Sequence, residues 1–342
     1  SIRRQRQMCI RDSYSYSNQR SGVRGNQLYA NFGAAAVGGP NFTENTTNTG
    51  VMGTGSLGNN NQYKDLELIS LTHKYRGRVF TIDSGLRHSG GRFDFRDMED
   101  GFVNAVNATL RTVQPNNSLT ALRLRGDFYN GGISRPMAKF SAMDAAGAPV
   151  DIFNGNNYLL DSFTSGARWV DDKLNSAYVN VARDLEQRIP ITLKVGGSIT
   201  QQKKDDRGGV QTWNFLPPGG NAARVAGNYD LISEGESTHT MYKDVTGRPV
   251  FVRYLSSAKI KRLYDQRPEL FVKNEASGWT NDANAYKQLE ETVSAAYVRT
   301  DAKLLDNRMR LVGGVRMEET RDDGRGVRND LLSLIHILTL PT

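Results

Sequence analysis

Three groupings of residues in this chain have spacings that could do chemistry. Gly53, Gly55 and Gly58 spell the G-x-G-x-x-G pattern that, between a strand and a helix, turns backbone N–H groups toward a pyrophosphate. Asn and Thr residues precede these glycines and 59–62 are polar, so a flexible loop is the expectation. Ser256 and Lys259 have the S-x-x-K spacing of penicillin-interacting enzymes, but no SDN or KTG partner follows. They are expected in a short helix over 253–264, where Tyr254, Ile260 and Leu263 fall in rough helical register. Acidic doublets at Asp171 and Asp172, Asp205 and Asp206, and Asp322 and Asp323 offer oxygen ligands for Ca2+ without the spacing of a defined calcium loop, and read as solvated loop charge. The four histidines make no H-E-x-x-H pair, and the single cysteine, Cys9, excludes an internal disulfide and any multi-cysteine metal site. No catalytic residue, metal or cofactor is therefore assigned.

Aromatic residues offer a different chemistry. Trp169, Trp213, Phe215 and Trp279 lie in stretches expected to be long loops, where rings could stack on sugars or chelate faces at low entropic cost. Ordinary loop packing is the plainer role for any one of them. The net charge of +8 owes +3 to the first thirteen residues, and no Lys/Arg stripe is interleaved with aromatics, so no nucleic-acid partner is expected. Asn41, Asn45, Asn107 and Asn116 open N-x-S/T sequons that matter only in a eukaryotic secretory pathway.

The elements that must position these groups are strands. Apolar residues recur at every second position. In 308–318, Met309, Leu311, Gly313, Val315 and Met317 share one face, while Arg308, Arg310, Val312, Gly314, Arg316 and Glu318 share the other. Residues 296–304 alternate likewise and join this strand through Leu305, Asp306 and Asn307. Further hairpins are expected over 177–202 with a corner at 186–190, over 101–129 with a turn at 114–117, and over 66–88 with a turn at 75–77. Residues 22–33 read as one weaker strand. Nine strands result, and the connections between them alternate short with long, the longest being 203–290. In an antiparallel meander that alternation gathers tight turns on one rim and long loops on the other, as in outer-membrane barrels. Lipid contact demands apolar or small residues, so Arg123, Arg125, Asp127, Lys194, Arg299, Asp301, Arg316 and Glu318 are expected to face a lumen. There they would brace the wall as a salt-bridged network or touch solute. Mean hydropathy is −0.54 and the longest apolar run, 331–340, is too short for a helical span.

Residues 177–206 (AYVNVARDLEQRIPITLKVGGSITQQKKDD) and 293–324 (VSAAYVRTDAKLLDNRMRLVGGVRMEETRDDG) resemble barrel strands of TonB-dependent receptors. The stretch LVGGVRMEET, 311–320, is similar to the family strand in which a glycine pair precedes Arg-x-Glu. The resemblance implies an all-β chain: a partial antiparallel up-and-down transmembrane barrel with long extracellular loops, about nine strands of the family's roughly 22. It also implies a Gram-negative outer-membrane transporter rather than an enzyme. Such a receptor binds a scarce solute (an iron chelate, cobalamin or an oligosaccharide) and imports it to the periplasm with energy from the TonB complex. Its partners would be outer-membrane lipid, the small solute, and the TonB complex through a plug domain expected outside this segment. Residues 14–330 are assigned to the barrel, whereas 1–13 and 331–342 resemble translated sequencing-adapter read-through and are expected to be non-native. The alternatives are a soluble secreted β-rich protein that binds or cleaves carbohydrate, and a passive porin.

Overall fold

Alternating apolar and polar residues form a half-buried strand only where two faces meet different surroundings, and the strands of this chain divide between two such settings. The computed structural model describes residues 7–34, 36–45, 47–56, 58–128, 137–185, 189–233, 242–243, 249–250, 252–306, 308–328 and 336–339. The expected corner residues Glu186, Gln187 and Arg188, the turn residue Asn307, the strand end Tyr129 and residues 1–6, 329–335 and 340–342 lie outside them.

The chain is all-β and antiparallel, with two α-helices among the described residues, α1 (Ser257–Gln266) and α2 (Glu275–Ala285). Its largest sheet is a wall of long strands: β1 (Gln7–Val23), β2 (Asn60–Arg76), β3 (Phe80–Arg96), β4 (Arg168–Leu185), β5 (Ile191–Gly208), β6 (Lys287–Leu304) and β7 (Met309–Arg328). They are ordered as in the sequence, and the short strand His336–Thr339 pairs beyond β7. The sheet is open, with one edge of β1 and one of His336–Thr339 unpaired among the described residues. Residues 7–13 continue β1 in register with β2 without a break, Cys9 opposite Lys74.

Strands of 17 to 20 residues reach about 55–65 Å at ~3.3 Å per residue, well beyond the apolar thickness of a bilayer. Short turns at 77–79 and around Leu305 and Asp306 join strands at one rim. The connections 24–59, 97–167 and 209–286 all leave from the opposite rim.

Two expectations are corrected here. The expected hairpin over 101–129 does not enter the wall, because Ala105–Leu110 and Arg123–Phe128 belong to different smaller sheets and only Thr112–Val113 pairs locally with Leu119–Thr120. The single strand expected over 22–33 is two, since β1 ends at Val23 and Asn26–Asn31 starts a new sheet. Among the described residues the wall accordingly has seven long strands rather than nine.

The three long connections fold together as a cap. Its six-stranded sheet takes two neighbouring strands from each: Asn26–Asn31 and Val51–Ser56, then Ala105–Leu110 and Leu159–Ser165, then Gln211–Phe215 and Phe271–Lys273. A five-stranded sheet draws on the first two connections. Between them lies the hydrophobic core of the molecule, including Met52, Leu122, Leu124, Leu160, Ile260 and Leu270. Phe163 is its aromatic centre, stacked on Trp213 at 5.1 Å and edge-on to Tyr264 and Phe271 at 5.4 and 5.2 Å. Contacts of this kind add about 0.5–1.5 kcal/mol each beyond area burial. Asp97, 1 % exposed at the upper end of β3, accepts hydrogen bonds from Ser165 Oγ (2.7 Å) and Gly166 N (2.6 Å). A buried carboxylate survives only when so satisfied, and here it closes one excursion at its base.

The wall has the reverse polarity of a soluble sheet. On one face, register aligns Ile82, Val181, Val195, Val298 and Val315 across β3 to β7. Exposure rises along this row, from half-buried Ile82 and Val181 to Val195 at 41 %, Val298 at 51 % and Val315 at 78 %. The opposite face carries Asp83, Asn180, Lys194, Arg299, Asp301 and Arg316; over β3 to β6 it is the more sheltered one, with Asp301 only 6 % exposed, while Arg316 on β7 is exposed.

Candidate functional site

The sheltered polar face runs from an ionic cluster near the short turns to a pocket under the cap. At the lower end Asp301 Oδ1 accepts from Arg299 and Arg310, each at 2.8 Å, and Arg299 lies directly opposite Lys194 in register. Arg316 pairs with Glu318 two residues along its own strand. Asp301 Oδ2 and Arg299 Nε are buried without a hydrogen-bond partner. Of the eight residues expected to face a lumen, Lys194, Arg299, Asp301, Arg316 and Glu318 share this face. Arg123, Arg125 and Asp127 instead sit in the five-stranded cap sheet, with Arg125 bonded to Glu44 at 2.8 Å and to Asp127 at 3.0 Å, and Arg123 to Asn48 at 3.1 Å. No family model matches the chain, and neither a curated protein nor a solved structure does.

At the upper end a pocket of about 400 Å3 opens between β4, β5 and α2. Arg168 and Asp206, on adjacent strands, form a two-pronged ion pair there, Nε to Oδ1 at 2.7 Å with Nη2 on Oδ2. Lys287, opposite Asp206 in register, and Asn281 and Asn284 on α2 complete the polar lining. Two glycines set the approach of α2. Gly208 has φ +131°, a conformation that favours glycine, and a Cβ on Gly209 would stand 2.6 Å from the Asp282 backbone nitrogen. The helix is held by Asn281 Nδ2 donating to Val210 O at 2.6 Å and Gln211 Nε2 to Asp282 Oδ1 at 2.9 Å. A guanidinium, an ammonium, a carboxylate and two amides around one hollow suit a small ligand rich in hydroxyl or carboxylate oxygens.

The four aromatics expected to capture solute do not converge. Phe215 is fully buried in the cap core, and Trp213 is partly buried there against Phe163, with Lys273 Nζ 5.8 Å from its ring centroid. Trp169 lies on the open face of β4, where the Arg207 guanidinium stands 5.1 Å from it and 5.4 Å from the Tyr286 ring. Only Trp279 is strongly exposed, at 69 %, on the side of α2 turned away from Asn281 and Asn284.

The remaining motifs have structural roles. Gly53 and Gly55 lie inside strand Val51–Ser56 rather than in a loop; a Cβ on Gly53 would meet the Tyr29 ring at 2.0 Å and one on Gly55 the Val106 carbonyl oxygen at 2.0 Å. Ser256 is the N-cap of α1, its hydroxyl accepting from Lys259 N at 3.3 Å, while Lys259 Nζ reaches Asp230 at 3.3 Å. The acidic doublets alternate between wall faces: Asp172 accepts from Gln202 at 3.0 Å, Asp205 from Arg207 at 2.9 Å, and Asp206 from Arg168. Among the described residues no group of three or more His, Cys, Asp or Glu is placed to hold a metal. In the cap, burial pushes the Asp161 carboxyl above the usual carboxylate range, opposed by a hydrogen bond from Thr109 and by Arg224.

The polar pocket is not legible in the sequence, because the apolar period that marks the two hairpins framing it stops short of it. The alternation on β4 and β5 continues above Ala177 and Gln202 with charges on both faces, and the doublets Asp171–Asp172 and Asp205–Asp206 were its trace.

Proposed function

We propose that this chain is part of the barrel wall and the extracellular cap of an outer-membrane TonB-dependent receptor, which binds a scarce external solute and imports it to the periplasm. The observation that carries the reading is the inverted polarity of the wall: an open apolar face backed by a sheltered, ion-paired one. In water, an apolar face of that extent with two free sheet edges is an aggregation hazard. In a bilayer the face is solvated by acyl chains, and the edges are closed by further strands of the same barrel.

The apolar run 191–199 on β5 covers about 26 Å along the strand, or ~20 Å along the bilayer normal at a tilt near 40°, close to the band height of such barrels. The gathering of all three long connections at one rim fits the long-loop, extracellular side. The polar pocket beneath the cap is then the point of solute entry, and the ionic cluster around Asp301 braces the lumen wall.

Fractionation of cells expressing the complete gene product tests this. The protein is expected in the outer membrane, resistant to alkaline extraction, and uptake of its solute should stop when the proton gradient is collapsed. Recovery in the soluble fraction overturns the membrane reading. Uptake indifferent to the proton gradient overturns energised transport and leaves a passive pore.

A further inference from the structure

On the face of the wall that carries the ion pairs, one region has the opposite polarity. Six apolar side chains gather there on β2, β3 and β4 below the cap: Leu66, Leu68, Phe93, Phe95, Val170 and Leu174. Register places them on one surface, with Phe95 opposite Arg168, Phe93 opposite Val170, Leu66 opposite Gly91, and Ser89 between Leu68 and Leu174. Leu66 and Phe93 lean together over bare backbone, since a Cβ on Gly91 would stand 3.3 Å from Leu66 Cδ2 and 3.5 Å from Phe93 Cε2. Leu66 and Leu68 are 46 % and 43 % exposed, and the other four are half-buried. From Phe95 to Ser89 this shelf runs about 20 Å along the strands, and it spans about 10 Å across them.

Charge lies around the shelf. Lys64 stands beside Phe93, and Arg87 lies one row below Ser89 between Ser70 and Ser176. Asp172, opposite Gly91, is taken up by Gln202, whose Nε2 donates to its two oxygens at 3.0 and 3.2 Å, and Lys204 lies beyond it on β5. Ser15 and Ser17 of β1 flank the two leucines. At its upper end the shelf meets the polar pocket without a gap, because Arg168 is directly opposite Phe95, and Val170 directly opposite Asp206. Apolar surface turned toward a watery lumen gains free energy when a ligand covers it. A ligand that reaches from the pocket along this shelf must be polar at one end and apolar at the other.

We propose that the solute is an amphiphile, with a head rich in hydroxyl or carboxylate oxygens at Arg168, Asp206 and Lys287 and an acyl chain laid along Leu66, Leu68, Phe93 and Leu174. The proposal rests on the reading of the polar pocket as the point of solute entry and names the chemical class of that solute. The shelf is longer than it is wide and runs parallel to the strands, which suits a chain rather than a compact ring system. Gly91 and Ser89, small residues at its centre, keep the floor low enough for the chain to touch the leucines on one side and Leu174 on the other.

The test uses the complete protein in lipid nanodiscs, titrated calorimetrically with two probes, citrate and its monooctyl ester, with empty nanodiscs giving the heat of partition into lipid. Each methylene moved out of water is worth about fourfold in affinity, so with about four of them seated the ester should bind ~200-fold more tightly than citrate. The double variant Leu66→Ser/Leu68→Ser should remove most of that advantage and leave citrate unchanged, whereas Arg168→Gln should weaken both probes alike. Ser89→Glu, which sets a charge in the middle of the floor, should act as the double variant does, and it carries the test if the double variant fails to fold. An ester that binds no better than citrate, no binding of either probe, or an advantage that survives the shelf variants each overturns the proposal. Such a failure in a protein that fractionates with the outer membrane sinks the amphiphile alone; recovery in the soluble fraction sinks the membrane reading beneath it.

Discussion

Val195→Arg measures directly what surrounds the open face of the wall. Val195 is the central residue of the apolar run 191–199, with Val181 and Val298 opposite it on the two neighbouring strands. At a tilt near 40° it lies about 10 Å from either border of the run, farther than an arginine side chain comfortably extends toward water. A charge there should cost about 2–4 kcal/mol, or about 30- to 700-fold in the folded-to-unfolded ratio. Gln201→Arg on the same face lies six residues farther along β5, roughly 15 Å along the normal, beyond the apolar run, and should cost about 0–1 kcal/mol. Ser198→Arg, on the sheltered polar face, should behave like Gln201→Arg. Reversible urea unfolding in lipid vesicles, followed by tryptophan fluorescence, gives all three values. If Val195→Arg and Gln201→Arg cost the same, or if the protein folds as well without lipid, the face is wetted by water and the reasoning fails.

Two further outcomes concern the cap. Leu160 is wholly buried in the cap core, so Leu160→Ala should cost about 2–5 kcal/mol there and let protease cut the cap while the wall remains intact; unchanged protection would mean that the core does not hold the cap together. Asp161 should titrate above its ordinary value of 3.8 in a carbon-13 carboxyl titration. Its folded value lies above its unfolded one, so the stability it contributes is greatest in acid and fades as pH rises through the folded value. Removing the Arg224 charge in Arg224→Met should push the carboxyl higher still, and a value at or below that of an exposed aspartate would show the ion pair outweighing burial.

The hairpins of the wall were legible because their apolar residues alternate without interruption through Val195, Val298 and Val315, and because the turns joining them are short. The segment 118–129 was misassigned for a physical reason: Leu122 and Leu124, 0 % and 1 % exposed, alternate with Arg123 and Arg125 just as a lipid-facing strand does. Period two reports that two faces differ, not whether the apolar one meets acyl chains or a protein core. The same ambiguity hid the role of Phe215 and Trp213, since a ring that packs and a ring that captures have one composition. The ends of β2 and β3 are the least legible, because Lys64 and Asp65 put charge on both faces of β2 and Arg87, His88, Ser89, Gly90 and Gly91 interrupt the apolar period of β3. That the connections would join as one cap had no local signal, since each of its pairings between connections links residues far apart in sequence.

Because the six-stranded cap sheet is assembled from a strand pair of each of three separate excursions, no single excursion can complete it. Val51–Ser56 finds Ala105–Leu110, and Leu159–Ser165 finds Gln211–Phe215, only after the staves beneath have lined up. Joining such distant pieces carries a heavy loop-closure penalty unless their bases are already adjacent. Assembly would therefore start at the wall and end at the cap, and a chain stalled before its staves meet would leave three loose, greasy tethers uncovered.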